Sequence, residues 1–286
     1  IEPGNAHLTG ALRRPQGCGR IDLDGDVPLD MTGDVPALSR STDSTVRARF
    51  YELKLETAAL DSVRRAQLKP LTGPAANLVL SADGTFTLAL RPGTKRPPVW
   101  TLWLDQATLA SDRARLETEA PLEASGSGGR IEVRPFRIVL TTTAGDSTVT
   151  GGVLSGQIST DENGDLSGEI RTDAIAMSAV ATLLPGLPAL TGSVSAVIRP
   201  GGNARSLEDM DFTARLDWLK PGGSGVPLDR LSAQVHGDAA SWMLDSLFAT
   251  AGKDTALGSG SLRRPPGGGP AEIDVTLKAR AFHLES

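Results

Sequence analysis

The sequence predicts an all-β chain: an elongated array of antiparallel meanders with short helices between them. Three observations carry this expectation. Apolar and polar residues alternate through many short stretches, as in Phe86-Thr-Leu-Ala-Leu90, which marks strands with one buried face. The 32 glycines and 19 prolines fall in clusters between those stretches, where they mark turns. Whole patterns also recur along the chain, the signature of a repeat architecture.

The recurrence centres on Leu187-Pro-Ala-Leu-Thr-Gly-Ser-Val-Ser-Ala-Val-Ile-Arg-Pro-Gly201. Its first half repeats Leu68-Lys-Pro-Leu-Thr-Gly73, and its second half echoes Gly84-Thr-Phe-Thr-Leu-Ala-Leu-Arg-Pro-Gly93. The two halves recur at offsets that differ by about one strand and its turn, so the repeat is clearer than its register. A second echo joins Leu8-Thr-Gly-Ala-Leu-Arg-Arg-Pro15 and Ile21-Asp-Leu-Asp24 to Gly258-Ser-Gly-Ser-Leu-Arg-Arg-Pro265 and Ile273-Asp-Val-Thr-Leu-Lys-Ala279. A third copy runs through Val149–Leu154 and Leu166–Ile170. The expected division is the end of one unit over 1–45, a second unit over 46–164 and a third over 165–286. Both ends fall inside patterned sequence, which suggests a piece of a longer polypeptide.

Taken in order, residues 33–45 are polar and turn-rich and read as a loop, and Val46–Leu55 reads as a strand. Leu60, Val63 and Leu68 have helical spacing, which predicts a short amphipathic helix over Ala58–Gln67. Its counterpart is Ala176–Leu184, stopped by Pro185. Strands are expected at Leu78–Leu80, Thr85–Leu90, Val99–Leu104, Ile131–Val133 and Phe136–Leu140. The next unit answers with Ser193–Ile198, Phe212–Trp218, Leu231–Val235, Trp242–Leu244 and Ser246–Ala249. Gly-rich turns at short spacing favour antiparallel meanders over crossover connections.

Composition narrows the function. Hydrophobic residues make up 39% and aromatics only 4%, too little for a large closed core unless each strand buries one face. A net charge of −5 with no basic run argues against a nucleic-acid partner. Cys18 is the sole cysteine, so no internal disulfide forms, and no apolar run approaches the 18 residues of a membrane span.

Catalytic and metal chemistry find no constellation. His7, His236 and His283 are far apart and lack companions at ligand spacing. Ser125-Gly-Ser-Gly-Gly129 is a flexible turn rather than a nucleophile or phosphate loop. Asp161-Glu-Asn-Gly-Asp165 places oxygens at alternate positions, as a calcium loop does. Leu166 stands where that loop needs Gly and Thr172 where it needs Glu, so a hairpin turn is the better reading. No enzyme activity, cofactor or metal is expected.

Three signatures together resemble the large TamB-type translocation and assembly proteins and, more loosely, the AsmA-like group. They are the short apolar helix running into Leu-Thr-Gly, the stretch Val226–Val235 with Leu244–Gly252 and Gly258–Leu262, and the closing Ala271–Leu284. The resemblance implies an elongated antiparallel sheet curved lengthwise into an open, taco-like groove with an apolar floor. It also implies a periplasmic segment of an envelope-spanning protein, with an inner-membrane anchor outside this stretch. Lipid transport between membranes, outer-membrane biogenesis and contacts with outer-membrane assembly proteins through regions outside this stretch follow from the same resemblance.

Strand alternation names the candidate lining. Phe86, Leu88 and Leu90 share a face that Thr85, Thr87 and Ala89 do not. Leu102, Leu104, Ile131, Val133, Val194, Ala196, Ile198, Phe212 and Leu216 join them as the lining expected to meet phospholipid acyl chains. The alternative is a structural or adhesive solenoid or sandwich array in which these side chains form a closed core. Few large aromatics are present to fill such an interior, and apolar surface left bare in a soluble protein marks a binding surface.

Overall fold

The computed structural model describes residues 4–13, 19–30, 37–38, 44–56, 79–90, 97–111, 113–144, 147–183, 190–206, 209–222, 227–238, 240–263 and 272–280. The chain folds into one curved antiparallel sheet. The strands are β1 (Gly4–Arg13), β2 (Arg20–Asp30), β3 (Ala37–Leu38), β4 (Ser44–Glu56), β5 (Val79–Leu90), β6 (Val99–Ala110), β7 (Ala114–Thr118), β8 (Leu122–Ser127) and β9 (Arg130–Ala144). They continue as β10 (Ser147–Thr160), β11 (Leu166–Ala176), β12 (Thr191–Gly202), β13 (Met210–Gly222), β14 (Arg230–Asp238), β15 (Ser241–Ala251), β16 (Asp254–Arg263) and β17 (Glu272–Arg280). Among the described residues one helix, α1 (Met177–Leu183), interrupts them. The predicted helix over Ala58–Gln67, the signature Leu68–Gly73, Leu187–Ala189, Cys18 and His283 lie outside the described residues.

Each strand pairs with its neighbour in sequence, so the sheet is a long meander. β3 extends the position of β4 beside β2, and β7 and β8 share one position between β6 and β9. At about 4.8 Å per strand, the fifteen positions span roughly 65–70 Å across the ladder. The ladder passes through the 164/165 position without interruption, in the turn between β10 and β11.

Several expected strand pairs are single strands carrying a bulge. Ile131–Val133 and Phe136–Leu140 are both in β9, whose register shifts at Pro135. Trp242–Leu244 and Ser246–Ala249 are both in β15, with the shift at Asp245. Glu52 and Ala174 adopt φ of 46° and 49° at the bulges of β4 and β11. A bulge adds one residue, bends the strand and raises its twist, which is how a broad sheet becomes curved.

The packed core is small and lies under α1. Ala179 and Leu183, one helical turn apart, meet Ala114, Leu140 and Ile175 from the sheet, with Leu116, Ala176 and Val180 around them. Leu140 is 1% exposed. Among the described residues no second sheet lies over the first.

Candidate functional site: an apolar face

In an antiparallel ladder, directly paired residues point to the same face. One row can therefore be followed from strand to strand: Leu23, Ala48, Phe86, Leu102, Ala124, Val133, Ile158 and Gly168. A second row runs Ile138, Leu154, Thr172, Ala196, Leu216, Ala233, Leu247, Gly258 and Leu277. The bulges keep these rows on one side, because each inserted residue absorbs a break in alternation. Away from the bulges, the register places one charged residue on this face among the described side chains, Asp254 at the first position of β16.

All twelve residues expected from the sequence fall on this same face. Phe86, Leu88 and Leu90 of β5 lie there with Leu102 and Leu104 of β6. Ile131 and Val133 follow on β9, Val194, Ala196 and Ile198 on β12, and Phe212 and Leu216 on β13. Ten of them are half-buried. Ile131 is 42% exposed, whereas Val194 is buried at 9%, paired with Ile175 beside α1.

Sequence reasoning missed other members of the face. Leu154, Ile158, Leu166 and Ile170 occupy it on β10 and β11, and Ile273, Val275 and Leu277 on β17. Their signal is alternation in which glycine takes apolar places, as in Leu154, Gly156 and Ile158. Those glycines are covered by aromatic rings. A methyl group at Gly126 would lie 2.6 Å from the Trp100 ring, and one at Gly156 would lie 3.3 Å from Phe136. Trp242 covers Gly237 in the same way and meets Phe212 edge-on at 5.6 Å. Phe86 and Trp100 stack at 6.5 Å. The hydroxyl of Thr172 is buried on this face without a hydrogen-bond partner among the described residues.

The opposite face is charged and paired. Arg230 donates to both carboxylate oxygens of Asp217, at 2.6 and 2.9 Å, and the Ser232 hydroxyl donates to one of them. Arg230 and Ser232 together hold the Asp217 carboxyl below the ordinary carboxylate range. Arg171 and Arg199 do the same to Glu169. His236 lies here, its Nδ1 2.8 Å from the exposed Asp245. Two shallow clefts of about 400 and 450 Å³ also open on this face, with Arg199, Arg215 and Asp217 in their walls.

The Asp161–Asp165 stretch is the turn between β10 and β11. One Asp161 carboxylate oxygen accepts the backbone N–H groups of Asn163 and Asp165 at 2.8 and 2.9 Å, so those lone pairs close the turn. Asn203 and Arg205, from the turn after β12, donate to the carbonyls of Asn163 and Glu162 and bind the two turns together. No cluster of metal-ligating side chains occurs among the described residues.

What this arrangement offers is a broad surface crossed by uncharged rows, half open, opposite a solvated polar face. Comparison with protein-family models, with curated proteins and with solved structures finds no match.

Proposed function

We propose that the chain is a non-enzymatic periplasmic segment whose apolar face shields phospholipid acyl chains during lipid transfer between membranes in outer-membrane biogenesis. The observation that carries this reading is the continuity of the face. Rows of aliphatic and aromatic side chains cross the sheet without a charged residue, and they remain half open. Burying a 16-carbon acyl chain is worth on the order of 12 kcal/mol, at roughly 0.8 kcal/mol per methylene. A tight pocket would therefore hold its lipid too long for transfer. A near-uniform surface lets the gain ahead of a moving chain cancel the loss behind it.

Glycines on the same face support its being the inner side of the curve. Side chains crowd on the concave side of a bent sheet, and Gly84, Gly126, Gly156, Gly237, Gly258 and Gly260 relieve that crowding. A closed core would need a second layer over this face, and α1 is the one covering element among the described residues. The resemblance to TamB-type proteins points the same way and supplies the compartment.

A photo-crosslinking amino acid tests the reading. Placed at Leu88, on the apolar face, it captures phospholipid in cells; placed at Thr87, on the other face, it does not. Equal capture at the two positions, or purified folded protein free of lipid by mass spectrometry after solvent extraction, overturns the proposal.

A further inference from the structure

Helix α1 stands on the apolar face and runs across the strands, touching β7, β9, β11 and β12. The row beneath it passes through Leu140 and, past the bulge of β11, through Ile175, Val194 and Trp218. At the opposite ends of the same strands a second row runs through Trp100, Gly126, Ile131 and Thr160. The two ends differ in cover. Ile175 and Val194 are buried beside the helix, whereas Ile131 is 42% exposed and Trp242, at the same end of β15, 46%. On the far side of α1, at the tip of the β9–β10 hairpin, Val149 is 58% exposed again. The helix is therefore a wall set across the floor, and apolar surface continues behind it.

We infer that α1 fixes which way a phospholipid lies on this part of the floor. The acyl chains run along the strands with their methyl ends against α1, and the phosphate sits at the β8–β9 and β10–β11 turns. The inference rests on the reading of the floor as a lipid surface and adds a direction to it. Chemistry separates the two ends. The helix Met177-Ser-Ala-Val-Ala-Thr-Leu183 carries no charged residue, so a phosphate held there would lose its water without gaining a cationic partner. The turns at the other end are solvated, with Arg130 exposed in one and Arg205 reaching the Glu162 carbonyl of the other.

Length agrees with this orientation. Ile131 and Leu140 are nine residues apart on β9, about 30 Å at roughly 3.4 Å per residue. The half-width of a helix takes about 5 Å of that, leaving about 25 Å of open floor. One phospholipid, from headgroup to methyl end, occupies about 20–22 Å, half of a bilayer. A lipid that lies along the strands also moves by stepping sideways from one strand to the next. Its headgroup then stays at the solvated turns throughout, and only the tails change partners.

Two photoactivatable phosphatidylcholines test the direction without any change to the protein. One carries a diazirine near the methyl end of an acyl chain, and the other carries it beside the ester carbonyl. The purified chain is incubated with vesicles containing either lipid and irradiated, and the adducts are located by peptide mass spectrometry. The methyl-end probe should mark Val180 and Trp218 several-fold more than Trp100 and Ile131, and the carbonyl-side probe should show the reverse preference. Equal marking of the two ends by both probes overturns the inference and leaves the lipid surface standing, as does an inverted pattern. Adducts confined to the charged face, or none with either probe, overturn the lipid reading and this inference with it.

Discussion

Two patches of one apolar face differ in what lies on them. At the ends of β7, β9 and β11, helix α1 covers the sheet, and Leu140 falls to 1% exposure. On β17 the same face is bare, and Leu277 stands 60% exposed. Both residues belong to the same alternation, and both are leucines. The comparison teaches that alternation selects a face and leaves open whether anything covers it. Burial, and with it stability, is added by the second element.

The largest test of that contrast places a charge in each patch. Leu140→Asp puts a carboxylate under α1 with no water to solvate it, which should cost several kcal/mol and abolish the folded state. Leu88→Asp, on the half-open floor, should leave a folded sheet that no longer retains lipid. Urea melts and lipid extraction on both variants check this. If Leu88→Asp also unfolds, the floor is as closed as the helix-covered patch and the contrast disappears.

Truncation sharpens the same comparison at smaller cost. Leu140→Ala should lose about 2–4 kcal/mol, and Leu277→Ala under about 1 kcal/mol, since little of its surface leaves water on folding. Gly126→Ala should lie between them at about 1–3 kcal/mol, because the added methyl displaces the Trp100 ring. Thr172→Val should stabilise by about 0.5–1 kcal/mol by removing an unpaired buried hydroxyl. Chemical denaturation with matched slopes measures all four.

The smallest expected effect per site is titration. The carboxyls of Asp161, Glu169, Asp217 and Asp238 are held below their ordinary range, by backbone N–H groups, by arginines, by Arg230 with Ser232, and by backbone N–H groups respectively. A lowered folded-state value means stability that is present above the unfolded value, near about 4, and is lost as pH falls through the folded value. The melting temperature should therefore stay flat from pH 7 to about 5 and decline below about 4. Lipid retention should not change between pH 5 and 8, because the rows that cross the apolar face through Phe86 and Leu216 carry no titratable group. A thermal melt series with lipid assay at each pH checks both statements.

Much of the fold was legible because the side-chain period of a strand is two. Phe86, Leu88 and Leu90 declare their face without help, and α1 was legible in the apolar run Ala176–Leu184. The bulges were not legible. In β15 the apolar-face residues run Trp242, Leu244, Leu247 and Ala249, with one interval of three among intervals of two. The same interval separates Val133 from Phe136 and Thr172 from Ile175. Read as alternation, such an interval looks like a strand end; in the sheet it is one extra residue absorbed by a bend. The short strands β7 and β8 escaped for a related reason. Neither holds more than a few face residues, and Gly126 in β8 contributes by its smallness.

The tryptophans turn this division of faces into an optical property. Trp100, Trp218 and Trp242 stand on the apolar face, whereas Trp103 stands on the charged one, its indole N–H donated to Asp105 at 2.9 Å. The four indoles thus form a built-in reporter with an internal reference. A quencher carried in the hydrocarbon of a lipid would darken three emitters and spare the fourth, while a water-soluble quencher would reach Trp103 in either state and Trp242, 46% exposed, when the floor is empty. Emission alone, without any label, therefore distinguishes a loaded floor from an empty one.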